Sequence, residues 1–346
     1  MAPPFLLLFI TILCSSVLSV QSTVPKNKTF SFVNQGAYGG FSVEYSANYR
    51  TIKTVNTHPF GLYFYNSTPD AYVLAIGAGP PNAKSTMRWV WHANRNDPVR
   101  EKATLTFGTN GNLVLADFDG RVVWQTNTAN KGVTALSMQA NGNLVLHDKN
   151  GKFVWQSFDH PTDTLLRGQS LNGGKKLVSR AALKDNRDGL YILQIGNVFQ
   201  TDKKGFIMYL NDPEFLLQYA GWEAQNLTSV TFDSVREDRL TTSSVLTLRF
   251  AKPTTPSTKV VVLKKNKNID YNYAYSFLRL EFDGNLRVYT YITQPQYKGW
   301  SKSYAFFGDT VEVCTMESKC GTTSFCDPEI CASCPSMLDI GCMFIP

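Results

Sequence analysis

The sequence is short of histidine and of charge, and nearly all of its cysteine lies at one end. Of the 346 residues only four are histidine, and 18% are charged. No histidine lies among the C-terminal cysteines and no other cluster of metal-ligating residues stands out, so we expect no metal and no cofactor. Beyond the first 22 residues no apolar run is long enough to cross a bilayer, so we predict no membrane span.

Catalytic signatures are missing as well. No G-x-S-x-G elbow occurs, and "GQSLNGGKK" lacks the spacing of a phosphate-binding loop. Asp148, Asp159, His160 and Asp163 are one candidate acid–base group. Asp and Thr beside Pro are turn formers, however, and this favours a structural role for the segment. We therefore predict that the protein is not an enzyme.

Residues 1–22, "MAPPFLLLFITILCSSVLSVQS", have the pattern of a cleaved secretory signal peptide. The apolar stretch from Phe5 to Cys14 is too short to span a membrane, and small residues precede Thr23. The alternative is an ordinary buried segment. We predict that the mature chain is secreted and extracellular.

Export agrees with the cysteines and with three glycosylation sequons. Apart from Cys14, the six cysteines occupy the last tenth of the chain and predict a small module of up to three disulfides, with zinc as the alternative. Their pairing stays open among Cys314, Cys320, Cys326, Cys331, Cys334 and Cys342. The sequons begin at Asn27, Asn66 and Asn226. The net charge of +7 fits solvated lysine loops or, alternatively, attraction to acidic polysaccharide, but not nucleic acid for an exported chain.

A repeat dominates the first half of the chain. "GNLVLADFDGRVVWQTNT" begins at Gly111, and "GNLVLHDKNGKFVWQSFD" begins at Gly142. Strand alternation turns Leu144 and Leu146 toward one face, which we expect to lie in a core. The opposite face carries a polar row with one small apolar member: Gln139, Asn141, Asn143, Val145 and His147. The acidic turn and glycine that follow are typical of a hairpin.

Each repeat ends in tryptophan, and these tryptophans recur at nearly even spacing as Trp91, Trp124 and Trp155. One such unit cannot bury its own apolar face, so we expect three sheets to pack around a shared core of these indoles. A later copy, "LRLEFDGNLRVYTY" from Leu278, indicates that residues from about 170 to 300 form a degenerate second copy of the first half of the chain. The predicted fold class is all-β.

The two repeats, followed by "SFDHPTDTLLRGQSL", resemble the bulb-type (monocot mannose-binding) lectin domain in the form found in S-locus-type glycoproteins and receptor ectodomains. "FGLYFYNSTPDAYVLAIG", "MRWVWHANRNDPVREKATLT" and "CGTTSFCD" are similar to EP1-like secreted plant glycoproteins. This resemblance implies tandem β-prism II domains over residues 23–168 and 169–305, the second degenerate. It also implies a disulfide-rich EGF-like module over 312–346, which looks truncated because the PAN-like domain of many relatives is absent.

The resemblance further implies a sugar-binding strand, Gln-x-Asp-x-Asn-x-Val-x-Tyr, whose alternating polar groups hydrogen-bond vicinal hydroxyls. The first copy, at Gly108, Asn110, Asn112, Val114 and Ala116, has lost most of these groups, and we expect little binding there. The second copy, Gln139 to His147, is the best candidate site. The late copy keeps Asp283, Asn285 and Tyr289 but has Glu281 and Arg287 at the other positions.

We therefore predict a secreted lectin-like glycoprotein of the plant cell wall or apoplast, with weak, partly degenerate sites for mannose-type glycans or wall polysaccharides. A single monosaccharide site starts with a dissociation constant of about 1 mM, and each lost hydrogen bond removes about 0.5–1.5 kcal/mol of its binding free energy. The alternative is a wall glycoprotein that binds no sugar and uses the scaffold for structure or for recognition of other wall or receptor proteins.

Overall fold

The computed structural model describes residues 23–79, 86–197, 204–211, 216–223, 226–238, 241–251, 257–267, 271–292, 299–306, 324–326 and 342–344. The predicted signal peptide 1–22 lies outside them, as do Cys314, Cys320, Cys331 and Cys334. The regular structure of the described residues is β-strand, apart from three single-turn 3-10 helices at Lys26–Lys28, Glu44–Ser46 and Ser157–Asp159. The prediction of an all-β fold is confirmed.

Residues 30–156 form three antiparallel sheets. Sheet I has the order β1-β6-β7-β8, with β1 (Phe30–Val33), β6 (Thr104–Phe107), β7 (Leu113–Ala116) and β8 (Val122–Gln125). Sheet II has the order β2-β3-β4-β5, with β2 (Asn48–Thr57), β3 (Phe60–Thr68), β4 (Ala71–Ala78) and β5 (Arg88–His92). Sheet III has the order β11-β10-β9, with β9 (Ala135–Met138), β10 (Leu144–His147) and β11 (Phe153–Gln156).

Sheets I, II and III share one apolar core, and the last strand of each contributes one tryptophan to it. Trp91, Trp124 and Trp155 meet edge to face, with ring centroids 5.8 Å (Trp91–Trp124), 6.1 Å (Trp91–Trp155) and 5.8 Å (Trp124–Trp155) apart. Leu144 and Leu146 are fully buried in the same core, as strand alternation requires.

Residues 164–305 form three further antiparallel sheets. Sheet IV has the order β12-β21-β22-β23, with β12 (Thr164–Leu166), β21 (Tyr271–Leu280), β22 (Leu286–Ile292) and β23 (Gly299–Ala305). Sheet V has the order β13-β18-β19-β20, with β13 (Ser170–Asn172), β18 (Leu227–Arg236), β19 (Thr241–Phe250) and β20 (Ser257–Lys267). Sheet VI has the order β14-β15-β16-β17, with β14 (Lys176–Ala182), β15 (Asp185–Asn197), β16 (Lys204–Asn211) and β17 (Leu216–Glu223).

Sheet IV is buried on both faces and belongs to two cores. Leu278 and Leu280 of β21 enter a second core that is shared with sheets V and VI. Phe277, on the opposite face of the same strand, packs with Tyr291 and Trp300 into the core of sheets I to III. The chain has already crossed to sheet IV at Thr164, shortly before the predicted boundary at residue 168.

A two-stranded pair, β24 (Ser324–Cys326) and β25 (Cys342–Phe344), places Cys326 opposite Cys342 along the backbone. The other four cysteines of the predicted module lie outside the described residues. The EGF-like module and its pairing stay predictions.

Candidate functional site

The predicted sugar-binding segments share one tight turn in all three copies. The first residue of each segment donates its N–H to the carbonyl of the fifth: Gly108 to Asn112 (3.3 Å), Gln139 to Asn143 (2.8 Å) and Glu281 to Asn285 (2.9 Å). The fourth residue is a glycine with φ of +79°, +86° and +78° at Gly111, Gly142 and Gly284. Only glycine adopts this conformation without strain, so the glycine of the repeat is explained by the turn.

The third residue of each segment closes this turn with its side chain. The side-chain oxygens of Asn110, Asn141 and Asp283 accept the N–H of the residue two positions later, at 3.1, 3.3 and 3.1 Å. Asn and Asp commonly make such local bonds in turns. In every copy, therefore, one side-chain oxygen of the third residue already accepts a hydrogen bond within the protein.

Asn143 has both ends of its amide engaged inside the protein. Its Nδ2 donates to Gln156 Oε1 at 2.8 Å, and its Oδ1 accepts from Ser157 Oγ and the Phe158 N–H, both at 3.2 Å. Asn112 makes the matching bonds to Gln125, Thr126 and Thr128 in the first repeat. Asn143 is only 4% exposed. The Asn143 side chain therefore connects β10 to β11 and to the segment that follows β11, and it does not face solvent.

We expect Asn143→Ala to lower the free energy of unfolding by about 1–3 kcal/mol, because the buried Ser157 hydroxyl and the Phe158 N–H both lose their acceptor. Asn150→Ala is the matched control, since Asn150 is exposed on the neighbouring turn, and we expect it to change stability by at most about 0.5 kcal/mol. Urea denaturation followed by tryptophan fluorescence measures both. Equal stability of the two variants would contradict a stabilising role for the Asn143 hydrogen bonds.

The remaining members of the row differ in what they offer a ligand. Val145 is fully buried, so it presents no apolar patch to solvent. Gln139 Nε2 donates to Ser137 Oγ at 3.1 Å, and His147 Nδ1 lies 3.1 Å from the Asp148 carbonyl. Within the described residues these bonds leave Gln139 Oε1, Asn141 Nδ2 and His147 Nε2 for a ligand. The structure thus brings the predicted residues together but reduces the available polar groups to three.

The polar side chains of the late copy already pair with one another. Arg287 donates two hydrogen bonds to Asp283, at 2.8 and 2.7 Å, and the Tyr289 hydroxyl donates to Glu281 at 2.7 Å. Asn285 is only 1% exposed. Burial raises the pKa of Tyr289 first of all, and the negative charge of Glu281 raises it further. A neutral sugar would have to displace these pairs in order to use the late copy.

A cavity of about 630 Å³ adjoins the late copy, and its other lining residues come from distant segments. Glu44 and Tyr45 precede β2, Arg88 begins β5, and Arg180 lies in β14. No local pattern in the sequence links these positions, and for this reason sequence analysis missed them. The only local signal of a buried charge was an arginine placed between apolar residues of a strand, as Arg279 is in "FLRLEF".

Glu44 lies at the base of this cavity as a buried carboxylate surrounded by guanidinium groups. Arg279 Nη1 donates to Glu44 Oε1 at 2.7 Å, and Arg88 Nη1 donates to the same atom at 3.0 Å. The Trp89 N–H donates to Oε2 at 3.1 Å. Burial opposes ionisation of Glu44, but the charges of Arg279, Arg88 and Arg180 outweigh it and lower the pKa to about 2.

We expect this carboxylate to make stability fall at low pH. Because its pKa is about 2 in the folded state against an ordinary 4.5, the unfolded chain binds the proton first as pH falls. A contribution of about 3 kcal/mol is therefore fully present above pH 4.5 and lost as pH drops toward 2. Urea midpoints of the native chain and of Glu44→Gln at several pH values measure it, and the variant should show a shallower fall. Parallel pH profiles would refute this assignment.

The candidate acid–base residues have structural partners. The His160 carbonyl accepts the Trp91 indole N–H at 2.8 Å, and the His160 ring stacks on Trp155. Asp148 closes the turn to Lys152, and Asp159 pairs with Lys175 at 2.6 Å. Asp163 accepts the Thr164 hydroxyl at 2.8 Å. Among the described residues, no group of three or more His, Cys, Asp or Glu is placed to hold a metal ion, and no helix is long and apolar enough to cross a membrane.

Comparison with known proteins agrees with the repeated strand motif. Residues 88–186 match the sequence model of the family described as D-mannose binding lectin. EP1-like glycoprotein 2 of Arabidopsis thaliana is 46% identical over 356 residues, covering 96% of this chain and 77% of the relative. Epidermis-specific secreted glycoprotein EP1 of Daucus carota is 42% identical over 343 residues, covering 91% and 85%.

A third relative, G-type lectin S-receptor-like serine/threonine-protein kinase SD2-2 of Arabidopsis thaliana, is 30% identical over 281 residues. The match covers 80% of this chain but only 32% of the kinase. The fold and these similarities define a lectin-like glycoprotein built on the bulb-type lectin domain. Within that class, the chain belongs to the EP1-like glycoprotein family.

Proposed function

We propose that this protein is a secreted, non-enzymatic glycoprotein of the cell wall or apoplast that binds mannose-type glycans weakly. One observation carries the proposal: Gln139, Asn141 and His147 lie half-buried in one row, each with a polar atom left over from its internal hydrogen bonds. Amide and imidazole groups in such a row suit the vicinal hydroxyls of a neutral sugar. Three neutral hydrogen bonds of about 0.5–1.5 kcal/mol each sum to at most about 4.5 kcal/mol, which corresponds to an affinity of about 1 mM or weaker.

The two sets of three sheets support the finer architecture. We propose that sheets I to III and sheets IV to VI are two prism domains in tandem, the second lacking the tryptophan trio. The two separate apolar cores support this division. The shared sheet IV would then join the domains rigidly.

Exposure of two of the three sequons and the name of the carrot relative, which calls that protein secreted, support export. Asn27 and Asn226 are exposed and suit attached glycans. Asn66 is only 6% exposed, within β3, and would have to leave its position to carry one. We propose Asn27 and Asn226 as the glycosylated positions.

The mannose proposal is tested by NMR titration of the secreted protein with mannotriose. Asn141→Ala removes Nδ2 from the row, whereas Asn110→Ala removes the same turn-closing bond from the first repeat, where we expect little binding. Both variants lose the same turn-closing hydrogen bond. A difference in mannotriose binding between them is therefore due to the contact of Asn141 Nδ2 with the sugar. We expect Asn141→Ala and Gln139→Ala to weaken binding about tenfold or abolish it, and Asn110→Ala to preserve it.

Burial of Asn143 and Val145 favours a second candidate, a wall glycoprotein that binds no mannose and serves as a scaffold. Absence of chemical-shift changes with any neutral glycan would support that candidate and overturn the first. Binding that Asn110→Ala weakens as much as Asn141→Ala would place mannose elsewhere.

A further inference from the structure

The cavity of about 630 Å³ beside Arg180 has the size and construction of a ligand site. Pockets for small molecules measure roughly 300–1,000 Å³ and combine apolar surface with a few polar groups. The rim includes Leu183, Lys184 and Phe282, which are exposed to solvent. The interior reaches the buried Arg180 and the half-buried Tyr289. A solute can therefore enter from solvent and reach buried charge.

The lining carries more positive than negative side chains. Five basic residues line it, Arg88, Arg180, Lys184, Arg287 and Lys302, against the three acids Glu44, Glu281 and Asp283. Each acid already accepts from an arginine: Glu44 from Arg279, Glu281 from Arg180 and Asp283 from Arg287. A net positive charge is left in a partly desolvated place, where an anion is attracted most strongly.

Buried donors point to the same conclusion. Arg180 is 4% exposed, and its Nη2 donates to Glu281 at 2.7 Å. Its Nε and Nη1 are buried and make no hydrogen bond among the described residues, although Nη1 lies 3.8 Å from Glu44 Oε1 in an ion pair. Arg88 Nε likewise makes none. Buried guanidinium N–H groups normally donate hydrogen bonds, because a buried donor without an acceptor is costly. A ligand with acceptor oxygens would satisfy them.

Arg180 is held in position rather than left free to move. Its guanidinium lies 4.7 Å from the ring centre of Tyr45 and 5.8 Å from that of Phe282. Tyr45 and Ser46 adopt left-handed backbone conformations, with φ of +67° and +53°. Non-glycine residues rarely adopt this conformation, and where they do they cluster at binding and active sites. Here the strained pair brings an aromatic ring against Arg180 and a hydroxyl into the cavity wall.

We propose that this cavity binds carboxylated sugars, namely short oligosaccharides of hexuronic acid. The carboxylate accepts from Arg180 and Arg88, and the lysine at the rim adds attraction. The ring hydroxyls meet Ser46, Thr86 and the carboxylates that line the wall. Exposed Phe282 and half-buried Tyr45 offer faces to the C–H side of the sugar ring. Both the charge and the hydroxyl-binding groups are needed, so a neutral sugar and a simple anion each meet only part of the site.

The test is calorimetric titration of the full secreted chain with trigalacturonic acid, its methyl ester and mannotriose at neutral pH. We expect the acid to bind and the neutral methyl ester and mannotriose to give no binding that depends on this cavity. Arg180→Gln should weaken binding of the acid at least about tenfold, as expected for a charge-assisted hydrogen bond. Rising salt should weaken it as well.

Lys184→Glu keeps the test decisive if Arg180→Gln fails to fold, because Lys184 is exposed. Lys131→Glu is its control, since Lys131 is exposed, carries the same charge and does not line the cavity. We expect about a two- to fivefold loss for Lys184→Glu and none for Lys131→Glu. Equal losses in the two variants, equal binding of the methyl ester, or no binding of the acid at millimolar concentration would each overturn the proposal.

The proposal does not depend on the mannose site. Asn141→Ala should leave binding of trigalacturonic acid unchanged, and Lys184→Glu should leave binding of mannotriose unchanged. Failure of one site is thus distinguished from failure of the other.

Discussion

Trp91→Ala is expected to lower the free energy of unfolding by about 3–5 kcal/mol, which is typical of removing a large buried aromatic side chain. Trp91 is 4% exposed and contacts both other indoles edge to face. The substitution also removes the hydrogen bond from its indole N–H to the His160 carbonyl, at 2.8 Å. Urea denaturation monitored by circular dichroism measures the change.

Two comparisons make this prediction specific. Phe153→Ala removes another aromatic ring in the same region, but one that is 44% exposed, and should change stability by at most about 0.5 kcal/mol. The double variant Trp91→Ala/Trp155→Ala should lose less than the sum of its single variants, by about 0.5–1.5 kcal/mol, because the two rings contact each other. If Trp91→Ala is as mild as Phe153→Ala, the indoles do not hold the three sheets together.

Arg279→Met is expected to destabilise the fold by about 3–5 kcal/mol, as is usual when one partner of a buried ion pair is removed. Arg279 is 1% exposed and donates to Glu44, to the Thr164 hydroxyl at 3.1 Å and to the Trp89 carbonyl. Burial opposes its charge, but Glu44, Asp163 and Glu281 together raise its pKa. Its loss leaves a buried carboxylate with less compensation, and urea denaturation measures the effect.

Arg187→Met is the matched control for this substitution. Arg187 is 70% exposed and pairs with Asp185, two residues away, so we expect no measurable change in stability. Glu44→Gln combined with Arg279→Met should recover part of the loss, because the uncompensated charge is then gone. If Arg279→Met destabilises no more than Arg187→Met, the buried cluster contributes nothing to stability.

The sequence predicted those parts of the fold that depend on local spacing. The hairpin turns, the inward leucines of β10 and the meeting of three indoles all follow from period-2 alternation and repeated tryptophans. Val145 departs from the alternation, since it is buried although it lies opposite the leucines. Nor did the repeat predict the long strands β2 to β4, because their apolar residues occupy both faces and so leave no simple pattern.

The candidate sites were predictable to a smaller extent. The motif predicted that five polar or small side chains of the second repeat lie in one row, but it did not reveal that Asn143 and one oxygen of Asn141 already have partners within the fold. That depends on Gln156 and Ser157, whose role appears only once the hairpin is closed. The cavity beside the late copy could not be predicted at all, because Glu44, Arg88, Arg180 and Arg279 meet through tertiary packing alone.

The pairing of Glu44 with Arg279 joins positions 235 residues apart. During synthesis Glu44 leaves the ribosome long before Arg279 is added. The Glu44 carboxylate therefore stays solvated while the 235 residues up to its partner are made. Contacts of such long range are the slowest to form. The cavity beside this pair is therefore complete only after Lys302 has been added, and a fragment ending at residue 186 would lack Glu281, Asp283, Arg287, Tyr289 and Lys302 of its lining.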